Sequence, residues 1–154
     1  MHSGSSQEAF RALLEDEDRG WQELHATIES FSPEQAVVPG YYREGWTAKD
    51  AIGHIGAWLA AGAAALEQIR AGTFEEPVPA RIDELNERFL RSMRDVPLEQ
   101  IKVQAVAAQT RLLQALAESS MSNATALAWV RKSGPDHYRE HLPRLKEWLE
   151  ELRT

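Results

Sequence analysis

The chain has 154 residues, no cysteine, and a formal net charge of −7 from 17 Lys+Arg against 24 Asp+Glu. That is the length of one domain, spanning residues 1–154, able to bury roughly two-thirds of its unfolded surface without a staple. The cysteine count excludes disulfide scaffolds, cysteine-ligated zinc, iron–sulfur clusters and thiol nucleophiles, and it fits a reducing cytoplasm.

Residues 1–6, Met-His-Ser-Gly-Ser-Ser, are too short and too polar for a signal peptide and are expected to be disordered. From Gln7 to Phe31 the apolar residues Phe10, Leu13, Leu14, Trp21, Leu24, Ile28 and Phe31 keep to one helical stripe. The acids Glu15 to Asp18 are assigned to its solvent side. Ser32-Pro33 ends this helix, and the chain to Gly45 reads as a loop through Pro39-Gly40 and Tyr41-Tyr42.

Thr47 is placed to cap a second helix, with Asp50 at the acid position of a capping box. Ile52, Ile55, Leu59, Leu66 and Ile69 form its stripe, and Gly72 is its natural stop. Gly53, Gly56 and Gly62 would each cost a lone helix about 1 kcal/mol relative to alanine, so a neighbouring helix or a ligand must approach closely there. The stretch from Ala51 to Leu66 is the longest apolar run, and it falls short of a membrane span. A third helix covers Arg81 to Arg94, and Pro97 either kinks it or restarts it as Leu98 to Ala117. A polar turn follows from Ser119 to Ala124, then a short apolar run from Ala126 to Val130. Pro135 opens a last helix carrying Tyr138, Leu142, Leu145, Trp148 and Leu152, with Pro143 inside it. No strand-like alternation persists, so the pattern predicts an all-α bundle.

The basic residues Arg43, Lys49 and Arg70 are scattered among acids. A nucleic-acid surface draws its affinity from Lys and Arg in local excess. Nucleic acid is therefore not expected as a partner, and neither is a membrane.

His137 and His141 are spaced i, i+4, which puts both imidazoles on one helix face and suits a single divalent ion. His54 sits in the apolar middle of the second helix, where a buried imidazole needs a polar partner. That partner is either a backbone carbonyl or tyrosine in the core, or a metal shared with the other pair. Three neutral imidazoles from two helices leave a coordination position open, the arrangement of a catalytic rather than a structural site. His25, four residues after Trp21, is assigned a structural role.

The stretch Gly45-Trp46-Thr47-Ala48-Lys49-Asp50-Ala51-Ile52-Gly53-His54-Ile55-Gly56-Ala57-Trp58 resembles the G-W-[ST]-x-K-D-x-x-x-H-x-x-x-W segment of the DinB-like superfamily. His137-Tyr138-Arg139-Glu140-His141 resembles the H-x-x-x-H segment that opens the last helix of that superfamily. Asn86 to Leu116 is similar to the third-helix region of its ClbS/DfsB and maleylpyruvate-isomerase-like branches. The resemblance implies an up-down-down-up four-helix bundle, often a homodimer. It also implies a divalent metal, nickel or zinc, held at His54, His137 and His141. Some members of the superfamily are thiol S-transferases or isomerases that use a low-molecular-weight thiol, and others protect the cell from a reactive genotoxin. The mycothiol-dependent maleylpyruvate isomerases have Glu where this chain has His137.

Three functions compete at this stage. The first is a cytoplasmic metal-dependent thiol S-transferase or hydrolase acting on small electrophiles in stress protection. Tyr42, Trp46, Trp58 and Tyr138 are then candidates for pocket walls. The second is a protein that binds or sequesters a small molecule without turnover, as in self-resistance. The third is a structural dimer using Gly53, Gly56 and Ala60 as a contact.

Overall fold

Helix signals dominate the sequence, and helices are what the chain forms. The computed structural model describes residues 2–42 and 45–154, with residues 2 and 3 as backbone only. It contains helices α1 (His2–Glu29), α2 (Pro33–Ala36), α3 (Ala48–Ala71), α4 (Pro79–Met93), α5 (Leu98–Ala117), α6 (Ala124–Ser133) and α7 (Pro135–Arg153), and no strand among the described residues. α1 takes in residues 2–6, which composition assigned to a disordered start; Met1 lies outside the described residues.

The helix ends follow local chemistry. The Thr47 hydroxyl accepts the Asp50 N–H at 3.1 Å, and the Asp50 carboxylate accepts the Thr47 N–H at 2.9 Å. This closes the capping box that starts α3. Gly72 stops the same helix at φ +77°, a left-handed conformation that glycine adopts without strain. Pro97 is the N-cap residue of α5, so it restarts the chain rather than kinking a continuous helix. The polar turn and short apolar run are a sixth helix, α6, capped by the Asn123 side chain on the Ala126 N–H at 3.0 Å.

α3 is the central element. It packs most extensively on α5 and also touches α2, α4, α6 and α7, while α1 packs on α7. Its glycines permit this. A Cβ on Gly56 would lie 3.1 Å from the Ala105 Cα of α5, and one on Gly62 would lie 2.5 Å from the Ser133 Oγ of α6. The propensity cost of these glycines is therefore offset by close helix contact. Leu24, Ile52, Ile55, Leu59, Leu66, Ile101, Leu112, Leu116 and Leu145 fill the core. α4 contributes no fully buried residue and covers the core with Ile82, Leu85, Phe89 and Met93. No helix among the described residues is long and apolar enough to cross a membrane.

Candidate metal and ligand site

α3 and α7 meet near their N-terminal halves, and this meeting assembles the three histidines. Pro135 starts α7 after Gly134, which puts His137 in the first turn and His141 one turn later on the same face. His54 comes across from α3. Its Nε2 lies 3.0 Å from the Nε2 of His137. The ring centroids are 4.8 Å apart for His54 and His137, 5.2 Å for His54 and His141, and 4.7 Å for His137 and His141. One ligand nitrogen from each residue falls within 4.8 Å of the others.

The loop before α3 orients the third imidazole. The Tyr42 hydroxyl lies 3.1 Å and the Tyr41 hydroxyl 3.3 Å from His141 Nδ1, and the Tyr41 hydroxyl also donates to the His141 carbonyl at 3.4 Å. When Nδ1–H donates to a phenol oxygen, Nε2 keeps its lone pair. That His141 Nε2 is buried without a hydrogen-bond partner, as is His137 Nδ1. Trp46 sets its ring edge-on to His54 at 5.4 Å.

Burial holds these groups neutral. It lowers His54 to about 4 and His137 to about 3, with repulsion from neighbouring imidazoles adding to both shifts, and it lowers His141 as well. Neutral imidazoles are the form that binds metal. Two nitrogens each about 2.0–2.1 Å from one tetrahedral ion stand about 3.3 Å apart, close to the separation of His54 and His137. The buried, unpartnered His141 nitrogen is what such an ion would satisfy. The donor set therefore fits a divalent ion of the zinc or nickel kind, which imidazole nitrogen suits.

A cavity of about 220 Å³ opens beside His54 and His137. Trp58, Trp129 and Ile82 form its apolar walls, and Asn86, Lys132, Ser133 and Glu140 are its polar lining. The Trp58 indole N–H donates to the Asn86 carboxamide at 2.6 Å, and the Trp129 indole N–H donates to Glu76 at 3.3 Å, so both rings are held in place. A larger apolar groove of about 480 Å³ lies between α3, α4 and α5, and no titratable side chain lines it.

Among the residues singled out from sequence, His54, His137, His141, Tyr42 and Trp46 come together, and Trp58 forms a wall of the adjoining cavity. Tyr138 does not join them. It lies on another face of α7, against Gly20 and Trp21 of α1, because adjacent helical residues point about 100° apart. His25 packs tilted beside Trp21, ring centroids 5.7 Å apart, and lies 3.8 Å from Glu29, outside the cluster.

Sequence reasoning missed Trp129, Lys132 and Asn86, and it missed Glu17. Glu17 is fully buried, with Oε2 accepting the Gln109 carboxamide N–H at 3.0 Å and Oε1 crowded against Gly134. Burial raises its pKa above the carboxylate range. Its signal was available: Glu17 fills the gap between Leu13 and Trp21 on the buried stripe, so the acidic run is interrupted by a core position.

No family profile and no curated protein sequence matches the chain. Solved structures do share its fold. One is an uncharacterised protein from Escherichia coli UTI89, with a TM-score of 0.80, 12% identity, and coverage of 94% of this chain and 95% of that one. Another is the colibactin self-resistance protein ClbS in complex with double-stranded DNA, with a TM-score of 0.78, 14% identity, and coverage of 90% and 94%. The fold is thus a helical bundle of the ClbS kind.

The second of these structures corrects the expectation that nucleic acid is no partner. A chain of this fold is seen on duplex DNA, so the fold does not exclude DNA as a partner. Net charge averages over the whole surface, whereas phosphate contacts depend on the basic and hydrogen-bonding groups along the interface.

Proposed function

We propose that this chain is a DinB-like protein of the self-resistance kind. It captures a small reactive molecule in the cavity beside His54, His137 and His141, and those three imidazoles hold a divalent ion. The observation that carries this reading is the meeting of three neutral imidazoles from two helices, His54 half-buried and His137 and His141 buried, each of the latter two with an unpartnered nitrogen, at a cavity with aromatic walls. The likeness of the fold to a colibactin self-resistance protein supports the self-resistance reading.

A bound ion would supply Lewis acidity and a lowered pKa for a coordinated water or thiol. The chain's own contributions are more limited. Tyr42 and Tyr41 fix the His141 ring, Trp46 packs on His54, and Trp58 and Trp129 shield one side of the imidazoles from water. Besides the histidines, the titratable groups that line the cavity are exposed Lys132 and exposed Glu140.

The test is thermal stability of untagged apoprotein titrated with zinc and with nickel, followed by a turnover assay with thiols and electrophiles. A metal-dependent rise in melting temperature supports the site, and its absence overturns the metal. Multiple turnovers would replace capture with the transferase or hydrolase reading. The ClbS–DNA complex favours a second reading, contact with duplex DNA. Fluorescence anisotropy with a labelled duplex at low and high salt tests it: affinity that falls with salt supports phosphate contact.

A further inference from the structure

We propose that the cavity beside the histidines takes a small amphoteric molecule: a flat apolar body against Trp58 and Trp129, a carboxylate on Lys132 and an ammonium on Glu140. This deepens the small-molecule reading above and rests on it.

Size sets the first limit. A cavity of about 220 Å³ has the liquid volume of about seven waters, which is the scale of an amino-acid-sized metabolite. The walls set the second. Both indole N–H groups are already engaged, by Asn86 and by Glu76, so the two tryptophans offer ring surface and no donor. Such surface selects a flat or apolar body.

The rim sets the third. Lys132 and Glu140 line the same cavity with opposite charge, and among the described residues neither makes an ion pair. The neighbouring cations are paired: Arg139 with Asp16 and Asp136, Arg144 with Glu147 and Glu151. Lys132 is steadied over Trp129, with Nζ 5.3 Å from the ring centroid. Asn86 commits its carboxamide oxygen to Trp58, which leaves its NH₂ to donate to a carboxylate. A ligand with one charge is attracted by one rim residue and opposed by the other, whereas a zwitterion satisfies both.

Three probes with one ring test this. L-phenylalanine carries both charges, 3-phenylpropionate only the carboxylate, and 2-phenylethylamine only the ammonium. Saturation-transfer NMR titrations are run on the wild type, Lys132→Gln and Glu140→Gln. An exposed ion pair contributes up to about 1 kcal/mol, so L-phenylalanine should bind up to about fivefold tighter than either relative. Lys132→Gln should weaken L-phenylalanine and 3-phenylpropionate by a similar factor and tighten 2-phenylethylamine, whereas Glu140→Gln should weaken L-phenylalanine and 2-phenylethylamine and tighten 3-phenylpropionate. Both side chains are exposed, so both variants should fold as the wild type does.

Equal affinity of the three probes, no binding of any, or indifference to both substitutions overturns the amphoteric class. A singly charged probe that binds as well as L-phenylalanine leaves a small-molecule cavity and removes only the proposed ligand class. The zinc response of the same variants reports separately on the histidines, so loss of the metal reading is told apart from loss of this one.

Discussion

α7 carries buried polar groups on two faces, and the two faces solve the same problem differently. On one, His137 and His141 meet His54 beside an open cavity. On the other, Tyr138 packs toward α1, where Glu17 is held by Gln109 and closed in by Gly134. Desolvation opposes charge in both places, lowering the histidines and raising the carboxyl. Glu17 commits Oε2 to Gln109, while its Oε1 and the Tyr138 hydroxyl are buried without a hydrogen-bond partner. His137 Nδ1 and His141 Nε2 are unpartnered as well, but there three imidazoles converge and His54 and His137 line a cavity. Convergence of several ligand atoms beside a cavity marks a binding site better than burial or an unpaired polar atom alone.

The largest effect expected from this contrast is on the histidine face. With metal at about a thousandfold above its dissociation constant, the folded protein gains about 4 kcal/mol, on the order of 10 °C in melting temperature for a domain of this size. His54→Ala, His137→Ala and His141→Ala should each abolish that rise in scanning fluorimetry, and His25→Ala should keep it. A wild-type response from His54→Ala would break the three-histidine site.

Glu17→Ala comes next. It leaves the Gln109 donor unpaired in the core and opens a void, for a loss of about 3 kcal/mol in chemical denaturation. Glu17→Gln keeps the shape and the acceptor and should lose under about 1 kcal/mol at pH 7. It should also leave the metal response intact, because Glu17 stands on the other face.

The two clusters also predict opposite pH slopes. Unfolded, His54 and His137 take up protons near pH 6.5, and folded only near 4 and 3, so their contribution falls as pH drops from about 6.5 toward 4. The folded carboxyl of Glu17 holds its proton above the unfolded value of 4.5, so its contribution falls as pH rises through that window. Denaturation midpoints measured across pH 4 to 8 should lose the second slope in Glu17→Gln and keep the first. Both slopes surviving in that variant would take Glu17 out of the titration.

Smaller effects test the supports of each region. Gly56→Leu overpacks the contact with Ala105 and should cost about 1–3 kcal/mol, whereas a rise in melting temperature would put that face in solvent. Tyr42→Phe removes the phenol nearest His141 Nδ1 and should weaken metal binding by about tenfold, read by calorimetry, with Tyr41 limiting the loss.

The sequence by itself determined the helical architecture and most of its punctuation. Thr47 with Asp50, Gly72, Pro97 and Pro135 act through hydrogen bonds and backbone preferences that span only a few residues, so their positions were legible. The helical period likewise placed His137 and His141 on one face, and the small residues of α3 announced a close neighbour. The tertiary structure decided the rest. That neighbour is Ala105 of α5, a contact 49 positions away from Gly56 that no local pattern encodes. Only packing put Trp129 and Lys132 of α6, and Asn86 of α4, beside His54, and only packing turned Tyr138 toward α1. Glu17 shows the reason most plainly. A run of four acids reads as solvated face, yet burial is settled by what lies across the interface, and Gln109, Gly134 and Tyr138 arrive there from 92 or more residues later in the chain.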